Sequence, residues 1–377
     1  MTRLTEIMER SARAGLRMQA RDGAMPAGHN GPWHDPETSV RATAHWALVF
    51  HDAYSRSRRQ EFLDAAIRAC DYLIANERRP SGATFACRLP KQGKSQCNGL
   101  IGQAWAVEAL ILIGGALKVP DYLRIAEAVL SLHPYDARSH AWRVVEVDGQ
   151  VMGADRTYNQ QIWFCAMVDL FARTQGAPGF CQIPAARDFS AHLGRITRLT
   201  NRSYFSHHVA RSPGGRLRDA VTWPITGRRR RGSEPAFAQN YLSVGYHSFV
   251  LYGLGLLRDR LPSGKRLVPT GLGGLIGRGL NTARKHLWGL PPGENAFAYG
   301  YNPTGIEIAY ALLMFPDLAR HYAASGPGPE EWLASQLARH FNPATGLMDR
   351  DAPDPIGLAA RIYEAMRLPD WDIRTGA

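Results

Sequence analysis

The sequence predicts an all-α protein with the architecture of an (α/α)6 toroid and small β-hairpin excursions in its loops. Helical periodicity dominates the 377 residues, and strand signals are few. Two helix types alternate along the chain, one opening on a polar and aromatic cluster and one plainly amphipathic. The first type recurs at intervals of roughly 60 residues, except for one interval that a basic insertion lengthens, and six such helix pairs can close into a ring. We therefore expect a single domain over residues 1–377.

The elements are expected in a regular order. Residues 1–20 form an N-terminal helix, because their apolar residues share one helical face and lack the apolar core of a signal peptide. This composition predicts a cytoplasmic protein. A basic insertion occupies residues 200–238. Periodicity predicts the remaining helices over residues 37–55, 59–77, 98–117, 121–133, 157–174, 184–199, 239–260, 302–323, 329–341 and 355–367.

Local signals support several of these boundaries. Pro36, Pro303 and Pro355 stand where three of the helices are expected to open. The dipeptide Asp148-Gly149 predicts a hairpin turn within an alternating segment at 142–152. Short extended segments are also expected at 83–89 and 203–209.

Composition and charge exclude several classes of protein. Hydrophobic residues make up 45% and charged residues 21%, which excludes wholesale disorder, collagen and a disulfide scaffold. No run of about 18 consecutive apolar residues is present, so a membrane span is not expected. The five cysteines show no pattern and are interpreted as buried thiols. The formal charge of +12 favours an anionic partner.

The predicted ring indicates what kind of anion it binds. Inner-helix N-termini carry unpaired N–H groups and a partial positive charge, and here they would point at one cavity. The side chains near these openings are Trp, Tyr, His, Asn, Gln and Arg. Flat aromatic faces and fork-like hydrogen bonders suit sugar rings, hydroxyls and carboxylates. An acidic oligo- or polysaccharide that contains uronic acid therefore fits, and no nucleic acid is expected as partner.

The polar cluster at the N-terminal end of the first inner helix can be interpreted as functional or as structural. Glu37, Arg41 and His45 are spaced four apart and share one helical face, so they could form either a ligand site or an ion pair beside a core histidine. His29 and His34 lie in a loop without a matched pair of metal ligands, so no metal and no cofactor is expected. The substrate-binding candidates of this opening are His29, Asn30, Trp33, Glu37 and Arg41.

The later openings supply further candidates for substrate binding. Asn98 could instead be a helix cap, and capping by Asp155 or Thr157 would explain one residue of the 155–161 cluster but not its adjacent amides. The substrate-binding candidates of these openings are Asn98, Trp105, Tyr158, Asn159, Gln160, Trp163, Tyr241, Tyr299, Asn302 and Arg361.

Three functions compete at such a site. Hydrolysis needs two carboxylates about 5–10 Å apart across the glycosidic bond, and it is placed narrowly ahead of the others. Elimination or C5 epimerisation needs a Tyr or His base, for instance a tyrosine whose pKa nearby arginines lower. The third function is non-catalytic glycan binding or scaffolding. The catalytic candidates are His45, Asp155, Tyr246, His247, Tyr301 and Glu307.

One glycine-rich segment and one basic segment do not predict a binding site. The glycine-rich stretch at 271–279 follows no convincing strand and precedes no Lys-Ser/Thr pair, so it does not predict a nucleotide site. The run Arg228–Arg231 has no interleaved aromatics and is interpreted as a solvated loop.

Several motifs together resemble a known group of proteins. In order they are GHNGPWHDPETSVRATAHW, NGLIGQAW, TYNQQIWF, GYHSFVLYGLGLL, YNPTGIEIAYAL and LAARIYE, within residues 28–367. They resemble the α/α-toroid glycan-processing proteins of archaeal surface-glycosylation clusters and bacterial polysaccharide clusters. More distantly, they resemble unsaturated glucuronyl hydrolases and uronate lyases and epimerases. The resemblance implies the processing of a hexuronate-containing glycan, and it does not extend to the basic insertion.

Overall fold

The computed structural model describes residues 2–176, 179–209, 236–258 and 271–373. The run Arg228–Arg231 and most of the basic insertion predicted at 200–238 lie outside the described residues. The helices are α1 (Leu4–Met18), α2 (Val40–Ser57), α3 (Gln60–Ile74), α4 (Gly99–Leu117), α5 (Pro120–Leu132), α6 (Tyr158–Gln175), α7 (Ile183–Ile196), α8 (Ala236–Gly245), α9 (His247–Leu256), α10 (Gly271–His286), α11 (Thr304–Met314), α12 (Pro316–Ala323), α13 (Pro329–His340) and α14 (Pro355–Ala360).

The inner elements form a closed ring. Helices α2, α4, α6, α9 and α11 each pack against the next, and α14 with the 3-10 segment Arg361–Arg367 packs against both α11 and α2. The outer helices α3, α5, α7 and α13 pack against the inner helices α2, α4, α6 and α11, and α10 packs against α9. Helix α1 packs on the outside of α2. This arrangement confirms the predicted (α/α)6 toroid.

Strands occupy short excursions, as predicted. They are β1 (Thr2–Arg3), β2 (Tyr135–Asp136), β3 (Ala141–Val145), β4 (Val151–Ala154), β5 (Phe341–Asn342), β6 (Leu347–Met348) and β7 (Asp372–Ile373). β2, β3 and β4 form an antiparallel sheet, in which the β3–β4 hairpin turns at Asp148-Gly149. β1 pairs with β7, which brings the two ends of the described chain together.

Burial explains the apolar character of the inner helices. Helix α4 is apolar on all sides because it is enclosed by its neighbours, whereas α3 has one apolar stripe and one exposed face. By length and composition α4 could cross a membrane, but 78% of its apolar window is buried inside the protein. This is the environment of a core helix in a ring.

The Asp354 carboxylate closes the ring at its seam. Its Oδ1 atom accepts a hydrogen bond from the Gly357 N–H (3.0 Å) and so caps α14. Its Oδ2 atom accepts hydrogen bonds from the His29 N–H (2.9 Å) and the Gly31 N–H (3.1 Å), more than 300 residues earlier in the chain. Gly31 has φ +57 and packs so tightly on the Tyr301 ring that a Cβ atom would clash with it. The loop before α2 is therefore fixed by the last inner element.

Several predicted boundaries were wrong. The first inner helix begins at Val40 rather than near Pro36. The helix predicted at 239–260 is broken at Tyr246, and the one at 302–323 ends at Met314 because Pro316 starts a new helix.

The glycine-rich stretch at 271–279 forms the start of helix α10, which periodicity did not predict. Its glycines allow close packing: a Cβ atom on Gly279 would lie 2.5 Å from the Phe205 ring.

Gly305 lies where the inner helix α11 packs closely against the outer helix α13. A Cβ atom there would lie 2.2 Å from the Trp332 carbonyl oxygen and 2.6 Å from the Gln336 Cβ atom. We expect Gly305→Ala to lower the free energy of unfolding by about 1–3 kcal/mol, because a gain in helix propensity of at most about 1 kcal/mol cannot offset such overpacking. Gly153→Ala, where a Cβ atom meets nothing within 4 Å, should change it by less than about 0.5 kcal/mol. Chemical denaturation of both variants measures the difference, and equal stabilities would contradict this packing.

Candidate functional site

A cavity of about 200 Å³ opens at the N-terminal ends of the inner helices. Its lining comes from the loop before α2, from the starts of α4, α6 and α9, from the loop before α11 and from the last inner segment. The lining residues are Asn30, Trp33, Arg88, Lys94, Asn98, Ile101, Trp105, Thr157, Asn159, Gln160, His207, Tyr246, Phe249, Tyr301, Asn302 and Arg361.

A second cavity, of about 580 Å³, is formed by the C-terminal halves of the inner helices. It is larger, and its wall combines leucine and methionine side chains with charged ones such as Asp52, Arg173 and Arg367, but none of the predicted site residues lines it. The smaller cavity is the candidate site, because about half of the predicted site residues converge on it.

Hydrogen bonds hold two tyrosine hydroxyls along one wall of the cavity. The Trp33 Nε1–H donates to the Tyr246 hydroxyl (2.8 Å), and the Tyr246 ring lies 6.2 Å from the Tyr301 ring between centroids. The Tyr301 hydroxyl donates to the Asn30 Oδ1 atom (2.6 Å), which also accepts from Arg41 Nη1 (3.3 Å). Two hydroxyl groups are thus held in fixed positions facing the cavity.

Tyr246 cannot act as the deprotonated base that the sequence suggested. Burial raises its pKa well above the usual 10, and Tyr301 adds to that increase. The charge of Arg41 acts in the opposite direction but does not outweigh burial. At physiological pH Tyr246 therefore carries its proton and can only donate it.

The buried guanidinium of Arg361 forms part of the cavity floor. It donates to Asn302 Oδ1 (3.0 Å) from Nη1, to Glu307 Oε1 (2.7 Å) from Nη2 and to Glu364 Oε1 from Nε. The Phe249 ring lies 4.9 Å from its Cζ atom. Asn302 is itself fixed, because its Nδ2 atom donates to the Gly245 carbonyl oxygen. Arg361 is thus oriented from several sides.

Cationic side chains gather at the cavity rim around a single acid. The buried carboxylate of Asp35 contacts Lys91 (2.9 Å), Lys94 (3.1 Å) and Arg88 (3.7 Å). Burial acts to raise the pKa of Asp35, but hydrogen bonds from Lys91 and Lys94 outweigh it and lower the pKa. Three cations around one carboxylate leave the rim positive, which attracts an anion.

Several polar atoms of the wall are buried without a hydrogen-bond partner. They are His207 Nδ1, Asn159 Oδ1, Trp105 Nε1 and Arg88 Nε. Leaving a buried polar group unpaired costs about 1–3 kcal/mol, so such atoms mark places where a ligand or ordered water would be stabilised. The His207 ring lies 4.9 Å from the Tyr246 ring between centroids.

The predicted carboxylates do not reach the cavity surface. Asp155 accepts hydrogen bonds from the Thr157 N–H (2.8 Å) and the Leu100 N–H (3.4 Å), so it holds the starts of α6 and α4. Glu307 lies behind Arg361, and burial raises its pKa to about 8, with a further contribution from Glu364. Among the described lining residues, no side chain is a carboxylate.

The structure brings about half of the predicted site residues to the cavity. Those that line it are Asn30, Trp33, Asn98, Trp105, Asn159, Gln160, Tyr246, Tyr301, Asn302 and Arg361. Asn98 makes no side-chain cap, although it precedes α4, and its backbone adopts the left-handed region (φ 58).

Two histidines predicted as catalytic lie elsewhere. The His45 ring is buried between Tyr363, which stacks on it at 4.5 Å between centroids, and Trp105, which meets it edge-on. Both nitrogens of His247 are engaged, one with the Phe205 N–H (3.0 Å) and one with the Gly279 carbonyl oxygen (2.8 Å). Burial lowers the pKa of His247 to about 4, so it is a neutral structural residue.

The other predicted residues support the walls from behind. Glu37 and Arg41 form a buried ion pair, with 3.1 Å between Arg41 Nη1 and Glu37 Oε1. Of the two interpretations of that cluster, the ion pair rather than the ligand site is the one observed. The remaining residues do not line the cavity. Trp163 stacks behind the lining residue Phe249, and the others make these contacts: His29 with Gly31, Tyr158 with Thr197, Tyr241 with Ala296 and Tyr299 with Leu287.

Sequence reasoning missed Arg88, Lys94, Ile101, Thr157, His207 and Phe249. Phe249 and Ile101 lie one helical turn or less from residues that were chosen, so helical spacing could have found them. Arg88, Lys94 and His207 lie in loops without periodicity, and no local signal separates them from solvated side chains.

Comparison with known proteins now identifies the family. No family model matches the chain. Archaeal glycosylation protein Q of Haloferax volcanii is 36% identical over 382 residues, a match that covers 99% of each chain. The chain belongs to the archaeal glycosylation protein Q family. This finding confirms the resemblance to archaeal surface-glycosylation proteins.

Solved structures show the fold that this glycosylation protein Q family member shares with other proteins. D-mannose isomerase matches with a TM-score of 0.64 at 14% identity, over 96% of this chain and 94% of the isomerase. The α-1,6-mannanase GH76A of Salegentibacter sp. HEL1_6 matches with a TM-score of 0.54 at 11% identity, over 97% and 98%. At such low identities these matches confirm the α/α toroid and nothing about the reaction.

The raised pKa of Glu307 predicts a pH-dependent stability. The unfolded chain releases this proton near pH 4.5 and the folded chain near pH 8, so the folded state binds more protons between these values. The contribution of Glu307 to stability is therefore complete below about pH 4.5 and is lost as the pH rises through 8, with a slope of at most about 1.4 kcal/mol per pH unit. We expect Glu307→Gln to remove this part of the slope in denaturation measured from pH 5 to 8. An unchanged slope would show that Glu307 is already ionised.

Proposed function

We propose that this protein is an enzyme that moves a proton on a hexuronate sugar of an acidic glycan. The reaction would be an isomerisation, epimerisation or elimination rather than a hydrolysis. One observation carries the proposal: the described cavity wall contains two tyrosine hydroxyls, an imidazole and three cationic side chains but no carboxylate. The name of the Haloferax volcanii relative supports a glycan as the substrate.

His207 is the group best suited to remove the proton. Burial lowers its pKa to about 3, with a contribution from His208, so its ring is neutral at physiological pH. A neutral imidazole keeps one nitrogen lone pair that can accept a proton. A base with so low a pKa is weak, but an anionic substrate beside it raises that pKa toward neutrality. The substrate's own charge would therefore activate its base.

The other polar side chains of the cavity can stabilise the charges that form in such a proton transfer. The C–H bond next to the sugar carboxylate breaks, its proton moves to His207, and its electron pair enters the carboxylate group as an enediolate. Arg361 and Arg88 supply the positive charge that stabilises this intermediate, while Lys94 at the rim attracts the anionic substrate. Tyr246, which keeps its proton, can return one to carbon and so complete an epimerisation. Loss of a group from the neighbouring carbon would complete an elimination instead.

Two observations argue against the two-carboxylate hydrolysis that the sequence narrowly favoured. Asp155 and Glu307 are occupied in backbone and guanidinium contacts, and neither lines the cavity. In addition, no described side chain of the cavity wall is a carboxylate.

The decisive experiment is incubation of the full chain with uronate-containing oligosaccharides in heavy water. Mass spectrometry would detect deuterium on carbon, ultraviolet absorbance would detect an unsaturated uronate, and a reducing-end assay would detect cleavage. We expect deuterium incorporation, or new absorbance with new reducing ends. New reducing ends without either signal would establish hydrolysis and refute the proposal. Deuterium incorporation into neutral mannose oligosaccharides but not into uronate-containing ones would refute the proposal that the substrate is anionic.

Two histidine variants identify the base. His207→Gln should lower the exchange rate by about 10²- to 10⁴-fold, the usual contribution of a positioned general base. His286→Gln, which alters an exposed histidine on α10, should leave the rate unchanged. Equal rates for His207→Gln and the unaltered chain would assign the base to another residue.

A variant of Lys94 tests whether the positively charged rim contributes to substrate binding. Its side chain is 37% exposed and carries one of the three charges around Asp35. Because an exposed charge pair contributes about 0.2–1 kcal/mol, Lys94→Gln should raise KM by up to about five-fold with kcat unchanged. The effect should shrink at high salt. Lys118→Gln, at the far end of α4, is the control, and a fall in kcat alone would contradict a binding role.

A further inference from the structure

Two histidines and an aspartate meet outside the cavity, on the outer side of the ring. His140 lies in the turn between β2 and β3, while Asp188 and His192 lie one turn apart on α7. One potential ligand atom from each lies within 4.8 Å of the others, and all three residues are partly exposed. The two imidazole rings stack at 3.7 Å between centroids, with planes 14° apart. We propose that these residues form a binding site for a divalent zinc-class metal ion.

The spacing of the ligand atoms suits such an ion. His140 Nδ1 lies 2.8 Å from Asp188 Oδ2, and His192 Nδ1 lies 3.3 Å from Asp188 Oδ1 and 2.8 Å from the Asp188 carbonyl oxygen. Bonds of about 2.0–2.1 Å in a tetrahedral site place neighbouring ligand atoms about 3.3 Å apart. Each imidazole therefore already lies within about that distance of one oxygen of the Asp188 carboxylate. Because a metal lies in the plane of an imidazole that binds it, binding would turn the stacked rings apart and replace the contact of His192 with the carbonyl oxygen. These movements are possible because the side chains are 23–35% exposed.

The donor set decides which ion fits. Two imidazoles and one carboxylate are the ligands of zinc and similar transition metals, whereas calcium and magnesium prefer all-oxygen sites. The ion would take the lone pair of one nitrogen of each neutral imidazole, and the proton of each ring would stay on its other nitrogen. The Tyr135 hydroxyl donates to Asp188 Oδ2 (2.6 Å), which is the kind of outer contact that orients a metal ligand.

The site has a definite structural consequence. It would join the β2–β3 turn to the outer helix α7. Two residues after His140, the Trp142 N–H donates to Gln161 of α6 (2.9 Å) and its carbonyl oxygen accepts from the Asp155 N–H (3.0 Å). A metal ion here would therefore stabilise the hairpin that leads into the start of α6, where Asn159 and Gln160 line the cavity. Its role would be structural, because none of its ligands lines the cavity.

The test is a titration of the full, chelator-treated chain with zinc chloride, followed by calorimetry, with cobalt(II) absorbance as a second probe. We expect one equivalent of zinc to bind and to raise the melting temperature. His140→Gln and His192→Gln should weaken binding by more than the roughly 10- to 100-fold that loss of an outer-shell contact costs. Circular dichroism would verify that both variants fold.

A second stacked histidine pair provides the matched control. His29 and His34 stack at 5.2 Å between centroids, and no metal-ligand group of the described residues includes them. His34→Gln should bind zinc like the unaltered chain. The proposal is overturned if the unaltered chain binds no zinc, or if His140→Gln and His192→Gln bind it equally well.

Discussion

The buried guanidinium of Arg361 is the interaction on which the cavity depends. Removing a charged group from water costs several kcal/mol, and this cost is offset only when its N–H groups find well-placed acceptors. Asn302, Glu307 and Glu364 are those acceptors, and they come from the loop before α11, from α11 itself and from the last inner segment. One side chain thereby joins neighbouring inner elements and forms part of the cavity floor. The fold and the polarity of the site are consequences of the same contacts.

Much of the fold could be predicted because ring closure follows from a regular alternation of helix types. Inner and outer helices differ in how much of their surface is apolar, and that difference is visible in the sequence. The errors occurred where a single residue interrupts a periodic pattern, as Tyr246 and Pro316 do. The start of α10 was missed because its glycines, which permit close packing on Phe205, have low helix propensity.

The site could be predicted in part, for a geometric reason. Residues at the openings of inner helices reach the cavity, but the sequence does not say which side of each opening faces inward. Tyr246 lines the cavity at the break between α8 and α9, while His247, the first residue of α9, contacts α10 instead. His45 shares a face with Arg41 but lies deeper, under Trp105. Arg88, Lys94 and His207 come from loops, whose positions depend on tertiary contacts that no local pattern encodes.

Asp354 joins the loop before α2 to α14, and this contact determines when the cavity is completed during synthesis. Translation delivers the loop that carries Asn30 and Trp33 long before the carboxylate that anchors its backbone. Because a domain generally folds as a unit, this wall of the cavity is completed only after the final inner segment has emerged. Completion of the site is therefore a late event in the life of the polypeptide, and it coincides with closure of the ring.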